Sequence, residues 1–309
     1  MVVTVVGEAL IDLVLDPVSR TYDPRPGGSP FNVAVGLARL GTPTCLMARM
    51  ADNAFGRQLR AHAAAEGVDV SAAPLAVEPT TLAVVAIDEN AQPTYDFYVN
   101  GTADWQWTES EMALLPVATE VLHTGSIAAW TAPGSALLHA LAADARAGGT
   151  VLVSYDPNVR PLLLGDVLAA RRVIERSVAT AHVVKASSED LAWLYADQPY
   201  GDVAAQWLAL GPSLVVVTDG PLGATAWRRD SGPVQQPGRP TTVVDTVGAG
   251  DAFTSALLSG LVRRELHSPA AVASLTTGDL LAVLTEAVLV SSLTCERAGA
   301  DPPYLAALS

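Results

Sequence analysis

Short apolar runs rich in β-branched residues recur along this chain, and most of the stretches between them carry helical periodicity. The runs are Val2–Val6, Thr44–Met47, Glu120–His123, Thr150–Tyr155, Ala181–Val184 and Ser213–Thr218. A strand that is apolar at consecutive rather than alternate positions is covered on both faces. Such strands, joined through helices, make βαβ units. The fold class expected is therefore α/β, a doubly wound and mostly parallel sheet with helices on both faces.

Punctuation places the helices. After Gly27-Gly28, Ser29 is positioned to cap and Pro30 suits the first helical position. Phe31, Ala34, Leu37, Ala38 and Leu40 then form an apolar face before Gly41. A second helix spans Ser135–Ala147, a third follows Gly248-Ala249-Gly250-Asp251, and a fourth runs from about Ser268 to Leu293. Two stretches break the rhythm, 11–26 and 81–100. In the second, Leu82–Ile87 and Thr94–Val99 alternate around Asp88-Glu89-Asn90, the pattern of a hairpin. Together they are expected to form a small antiparallel β lid on a main domain made of 1–10, 27–80 and 101–309. Trp105 and Trp107 lie close to it, either as core or as a wall against a ligand or an interface.

Charge and composition exclude several classes. Eighteen Lys+Arg against 32 Asp+Glu give a formal net charge of −14, and Lys185 is the single lysine. That balance opposes nucleic-acid and anionic membrane partners. With 50% hydrophobic and 16% charged residues, disorder is excluded as the main state. The apolar stretch 280–290 is flanked or broken by Asp279, Thr285 and Glu286, so no membrane span is expected. Cys45 and Cys295 have no Cys or His at metal-ligand spacing, and the N-terminus lacks a cationic leader; a cytoplasmic setting is expected. His62, His123, His139, His182 and His267 share no spacing and are read as surface or satisfied core residues.

The segment Val243–Phe253 runs from an apolar strand through a Gly-rich turn into a helix, an arrangement that presents free amides to an anion. Asp251 is unfavourable in a plain anion site. It is either a helix-start acid or the base that a hydroxyl needs when it attacks a phosphate. A P-loop is absent, and Phe253 stands where a dinucleotide fingerprint wants Gly or Ala. Asp156, Asn158 and Arg160 follow a strand, at the end where open α/β sheets bind ligands. Ser187 and Asp190 have the spacing of a helix-capping pair.

The run 245–253, DTVGAGDAF, together with Gly27–Asn32, Asp156–Arg160, Val217–Gly223 and Leu293–Pro303, resembles the signatures of the PfkB (ribokinase-like) carbohydrate kinases, most closely their bacterial fructokinase branch. The resemblance implies ATP-dependent transfer of the γ-phosphoryl group to a hydroxyl of a small neutral sugar, fructose first. Nucleoside kinases and 2-keto-3-deoxygluconate kinases belong to the same family, and a non-catalytic sugar or nucleotide sensor is the alternative of another class. Asp251 is then the base, and the Gly248, Ala249 and Gly250 amides hold the phosphoryl group. Asp12, Gly28, Asn32 and Arg160 contact the sugar. Asp156, Asn158, Lys185, Thr218, Gly220 and Gly223 serve ATP, although Lys185 can equally be a strand end. Magnesium bridges the ATP phosphates with help through water from Glu189. A potassium ion near Asp245 and the Arg297–Asp301 turn is a further expectation, as is a homodimer paired through its lids. Ser187 and Asp190 stand where many relatives carry Asn-x-x-Glu, so they act on metal or only cap a helix. Val99 follows Phe97-Tyr98 where relatives acting on keto-acid sugars carry an Arg, which favours a neutral substrate.

Overall fold

The computed structural model describes residues 1–16, 18–87, 93–196 and 198–308. In chain order the strands are β1 (Val2–Val6), β2 (Leu10–Leu15), β3 (Tyr22–Gly27), β4 (Thr44–Met47), β5 (Met50–Ala51), β6 (Leu75–Ala76), β7 (Leu82–Ile87), β8 (Pro93–Tyr98), β9 (Thr119–Gly125), β10 (Leu152–Asp156), β11 (Val183–Ser187), β12 (Leu214–Thr218), β13 (Gly223–Arg228) and β14 (Val234–Pro237). Among the described residues the main sheet is ordered β14-β13-β12-β11-β10-β9-β1-β4. Every pairing from β4 to β12 is parallel, and β13 and β14 close one edge as antiparallel strands.

Consecutive residues of these strands go to opposite faces. Val3, Val5, Val183, Leu214 and Val216 pack with Phe31, Leu37, Leu257 and Leu284. Val153, Tyr155, Val184, Val215 and Val217 pack on the other side with Ile174, Leu194 and Trp207. This two-sided cover is why the runs lack polar alternation, and each fully buried Val or Leu contributes about 1.5–3 kcal/mol.

The second sheet is ordered β3-β2-β7-β8. β2–β3 and β7–β8 are antiparallel, but β2 and β7 run parallel, so this sheet is mixed rather than antiparallel. The turn expected at Asp88–Asn90 falls outside the described residues. Trp105 and Trp107 are core, buried with Met47, Leu122 and Trp130, and the Trp105 indole donates to the Val99 carbonyl at 2.7 Å just after β8. His123 and His182 are also core: His123 Nδ1 meets Ser154 Oγ at 3.1 Å and His182 Nδ1 accepts from the Val153 amide at 3.0 Å.

Three expectations are corrected. Ser29 does not cap: Gly28, at φ +100, takes the N-cap and Ser29 is the first residue of the helix Ser29–Arg39. The stretch 268–293 is two helices, Pro269–Ala273 capped by Ser268 and Thr277–Cys295 opened by a Thr276–Asp279 capping box, because two start signals outweigh continuous apolarity. The second of these is long and apolar enough to cross a membrane by length and composition alone; Leu280, Val283, Leu284 and Ala287 on it are buried, and it packs against the helix Ala249–Arg263. Val243 and Val244 form no strand. They are 60% and 62% exposed, and the Val244 and Asp245 amides bond the Cys295 carbonyl instead of a sheet neighbour.

Candidate active site

The turn before the helix Ala249–Arg263 is built around Gly248. Its φ is +75, and a Cβ there would lie 2.5 Å from the Ala300 Cβ, so no other residue fits. The Ala249 amide bonds the Thr246 carbonyl at 3.2 Å, so it is spent inside the turn rather than offered to a ligand as expected. The Gly248 and Gly250 amides stand at the positive helix end, where no intrahelical acceptor exists.

Asp251 is the third residue of that helix. Its Oδ1 accepts from Ser29 Oγ at 2.6 Å and its Oδ2 from Asn32 Nδ2 at 2.8 Å. Burial pushes its carboxyl up and the nearby Asp156 adds to this, while the two hydrogen bonds and Lys185 pull it down. Ser29 therefore exchanges its expected capping role for one of fixing this carboxylate. Asn32, expected on the sugar, has its amide on Asp251 as well.

Asp12 lies on β2, in the second sheet. Its Oδ2 occupies the space above Gly27, where a Cβ would come within 2.2 Å. Burial raises its pKa to about 6; Arg160 and Arg25 oppose the rise and Asp251 reinforces it, which places all four groups within electrostatic reach. Arg160 is the N-cap of the helix Pro161–Leu164, and its Nη1 donates to Asn158 Oδ1 at 2.8 Å. Asn158 in turn donates to Ser126 Oγ at 3.1 Å.

Asp156 ends β10. Its Oδ2 takes Lys185 Nζ at 3.0 Å and Thr254 Oγ1 at 3.2 Å, and both members of the ion pair are buried. A Cβ on Gly250 would be 3.0 Å from Lys185 Nζ, so the ammonium lies directly beneath the glycine turn. Burial works against its charge, but Asp156, Asp190 and Asp251 hold the ammonium above its ordinary value.

Ser187 and Asp190 form a reciprocal capping box on the helix Ser188–Tyr195, and Asp190 Oδ1 also accepts from the Val159 amide at 2.8 Å. Both are thereby engaged by protein. Glu189 is exposed on the same helix. Among the described residues no group of three or more His, Cys, Asp or Glu side chains could hold a metal ion. That donor set fits magnesium carried by substrate phosphates and water, not one caged by protein. Asp245 Oδ1 accepts from the Val247 amide at 3.0 Å and Oδ2 from the Gly299 amide at 2.8 Å, tying the glycine turn to the 297–301 turn. Each oxygen keeps a lone pair for a monovalent cation.

At the exit of β12, Thr218 Oγ1 contacts the Ala186 carbonyl at 3.4 Å, Gly220 has φ +47 and Gly223 has φ +98. A Cβ at Gly223 would meet Gln236 O at 2.2 Å, so this turn demands glycine. Glu8, Asp104, Ser126 and Thr254 are participants or neighbours that sequence reasoning did not single out, and the sequence pattern marks Ser29 only as a cap. Ser29 and Thr254 meet their partners 222 and 98 residues away, and no local pattern carries such a pairing.

The family model described as pfkB family carbohydrate kinase matches residues 2–307. The chain is 38% identical over 272 residues to a fructokinase of Rhizobium leguminosarum bv. trifolii, covering 87% of this chain and 82% of that one. Among solved structures, a fructokinase with bound ATP from Xylella fastidiosa superposes with a TM-score of 0.86 at 28% identity, covering 97% of this chain and 93% of the other. A double-mutant fructokinase from Vibrio cholerae O395 in its fructose, ADP and potassium ion bound form gives 0.82 at 29% identity, covering 97% and 93%. A glycine turn with its acid, glycines where only glycine fits and a match along nearly the whole length have one explanation: this chain belongs to the pfkB family of carbohydrate kinases.

Proposed function

We propose that this chain is an ATP-dependent sugar kinase that transfers the γ-phosphoryl group to a hydroxyl of fructose. The observation that carries the reading is Asp251: a carboxylate with raised proton affinity, aimed by Ser29 and Asn32, one residue beyond amides that can receive an anion. The sugar lies between Asp12 and Asp251, with Gly28 and Arg160 beside it. Asp251 takes the hydroxyl proton as the oxygen attacks, and the Gly248 and Gly250 amides with the Lys185 ammonium below them hold the transferring group's charge. Thr218, Gly220 and Gly223 line the approach of the ATP phosphates. Magnesium, when bound with ATP, neutralises phosphate charge, and Glu189 is the exposed carboxylate placed to meet it through water. Potassium is the natural ion for the Asp245 turn. Little covalent chemistry is asked of the protein; alignment and fixed positive potential do the work.

The lid, 11–26 with 81–100, closes over the sugar and excludes water that would compete for the phosphoryl group. Tyr22 and Tyr98 are exposed on it, 50% and 61%, and support pairing of two copies through their lids; sedimentation as a monomer would sink that part. Two free cysteines support a cytoplasmic setting. Along the lid segments Asp16, Asp23, Asp88, Glu89 and Asp96 outnumber Arg20 and Arg25, which favours a neutral substrate. The test is ATP consumption with a panel of fructose, 2-keto-3-deoxygluconate and nucleosides. Fructose should give the highest kcat/KM, ahead of the keto acid. No sugar-dependent consumption would make the chain a sensor, and preference for the acid or for a nucleoside would overturn the substrate.

A further inference from the structure

Glu8 directly follows β1 and Gly7, is wholly enclosed, and takes no part in the transfer described above. Its Oε2 accepts from the Ala128 amide at 3.0 Å, while Oε1 has no hydrogen-bond partner among the described residues. A carboxyl enclosed in this way is costly unless something specific uses it. Burial pushes Glu8 up, and the Ser126 hydroxyl, the Ala128 amide and Arg160 oppose that rise.

Two arms of the sugar side meet at this residue. One is the Gly28 turn: a Cβ on Gly28 would stand 2.9 Å from the Glu8 carbonyl oxygen and 3.2 Å from its Cγ, so Glu8 backs the residue that caps the Ser29–Arg39 helix. The other is the short helix Ser126–Trp130, which Glu8 holds through the Ala128 amide; its first residue, Ser126, accepts from Asn158 at 3.1 Å, and Asn158 then accepts from Arg160 at 2.8 Å. Ser126 and Asn158 have φ of +53 and +39, a region that asparagine visits readily but serine seldom does unless its surroundings hold it there. They follow the ends of the neighbouring parallel strands β9 and β10. Behind Glu8, the enclosed Asp104 fixes the next residue by accepting from the Ala9 amide at 2.8 Å.

We propose that Glu8 is a positioning residue for the sugar half of the site: it props the Gly28 turn and, through Ser126 and Asn158, holds the Arg160 guanidinium opposite Asp12. This rests on the sugar-kinase reading for its effect on KM, but not for its effect on the loop itself. Among the described residues, none of the hydrogen bonds of Thr218, Gly220 and Gly223 is made with Glu8, Ser126 or Asn158, and the proposal moves Asn158, expected on ATP, to the sugar side.

The test has two readouts. Glu8→Leu should raise the fructose KM at least tenfold and leave the ATP KM within about twofold, and Glu8→Gln, which can still accept from Ala128, should recover most of the loss. Ser126→Ala leaves the Ala128 bond in place and cuts only the link to Asn158, and should raise the fructose KM in the same direction by a smaller factor. In the unliganded protein, amide exchange over 157–164 should quicken in Glu8→Leu and Ser126→Ala while that of β12 stays unchanged. A parallel rise of both KM values, or a Gln variant no better than Leu, overturns the proposal. Unchanged exchange over 157–164 overturns it without reference to any substrate, whereas a wild type inactive on every sugar with that exchange response intact refutes the sugar-kinase reading and leaves the positioning role standing.

Discussion

As the proposed base, Asp251 must hold its proton affinity high enough to accept a hydroxyl proton and yet stay ionised before the reaction. Burial and Asp156 supply the first requirement, and the Ser29 and Asn32 hydrogen bonds supply the second. Asp251→Asn keeps shape and both neighbours but cannot take the proton, so kcat should fall by ~10²–10⁴ while sugar and ATP still bind. Turnover above about a tenth of wild type would contradict the assignment. Asp12 gives a second prediction. With its pKa raised to about 6, it is protonated below that pH and ionised above it. An ionised carboxylate accepts from sugar hydroxyls more strongly than the neutral acid. Sugar affinity, measured by direct binding in the Asp251→Asn background so that Asp251 does not titrate, should rise with pH through about 6 and level off above 7. In Asp12→Asn the curve should be flat; an unchanged curve would assign the titration elsewhere.

The helix Ser29–Arg39 presents Ser29 and Asn32 to the site at one end and Arg39 to an ion-pair network at the other. Arg39 bonds both oxygens of Glu66 at 2.8 Å, reaches Asp301 and the Pro302 carbonyl, and lies 4.8 Å over the Tyr304 ring. Arg39 and Glu66 side chains are only 9% and 12% exposed, so breaking the pair strands a nearly buried charge. Arg39→Met should cost about 3–5 kcal/mol in urea unfolding. The Arg39 hydrogen bond holds Glu66 down at about 2, against an ordinary 4.5. A depressed acid stabilises fully above its unfolded pKa and loses that contribution as pH falls toward the folded one. The gap between wild type and variant should therefore be full above about pH 5 and shrink toward pH 2; a pH-independent gap would count against the pair. Legibility followed range. The central strands were readable because two-sided burial writes itself into consecutive residues, and the glycine turn because positive φ admits few alternatives. Val243-Val244 misled because β-branched residues make a strand only beside a free sheet edge. The parallel β2–β7 pairing and the second duty of Ser29 depend on partners far along the chain, and nothing local encodes them.

At the scale of the whole molecule, 18 cations face 32 acids, and Lys185 is withdrawn into the site. Self-repulsion of this size opposes compaction and is screened by salt. Raising tetramethylammonium chloride from 10 to 200 mM, a salt without an alkali cation to occupy the Asp245 turn, should lift Tm by roughly 1–3 °C. A flat or falling Tm would show that the acids are already paired. The packing of Ser29–Arg39 against Ala249–Arg263 has another kind of consequence, one written in time. A ribosome emitting residues at 5–20 per second leaves roughly 10–45 s between completion of the first helix and completion of the second. Throughout that interval Phe31, Val33 and Leu37 lack their final cover, and for nearly all of it Asp251 does not yet exist to receive Ser29. The nascent chain thus carries a sticky, half-finished α/β layer for most of its synthesis, and its yield in a cell will depend on chaperones and on translation speed more than its folded stability would suggest.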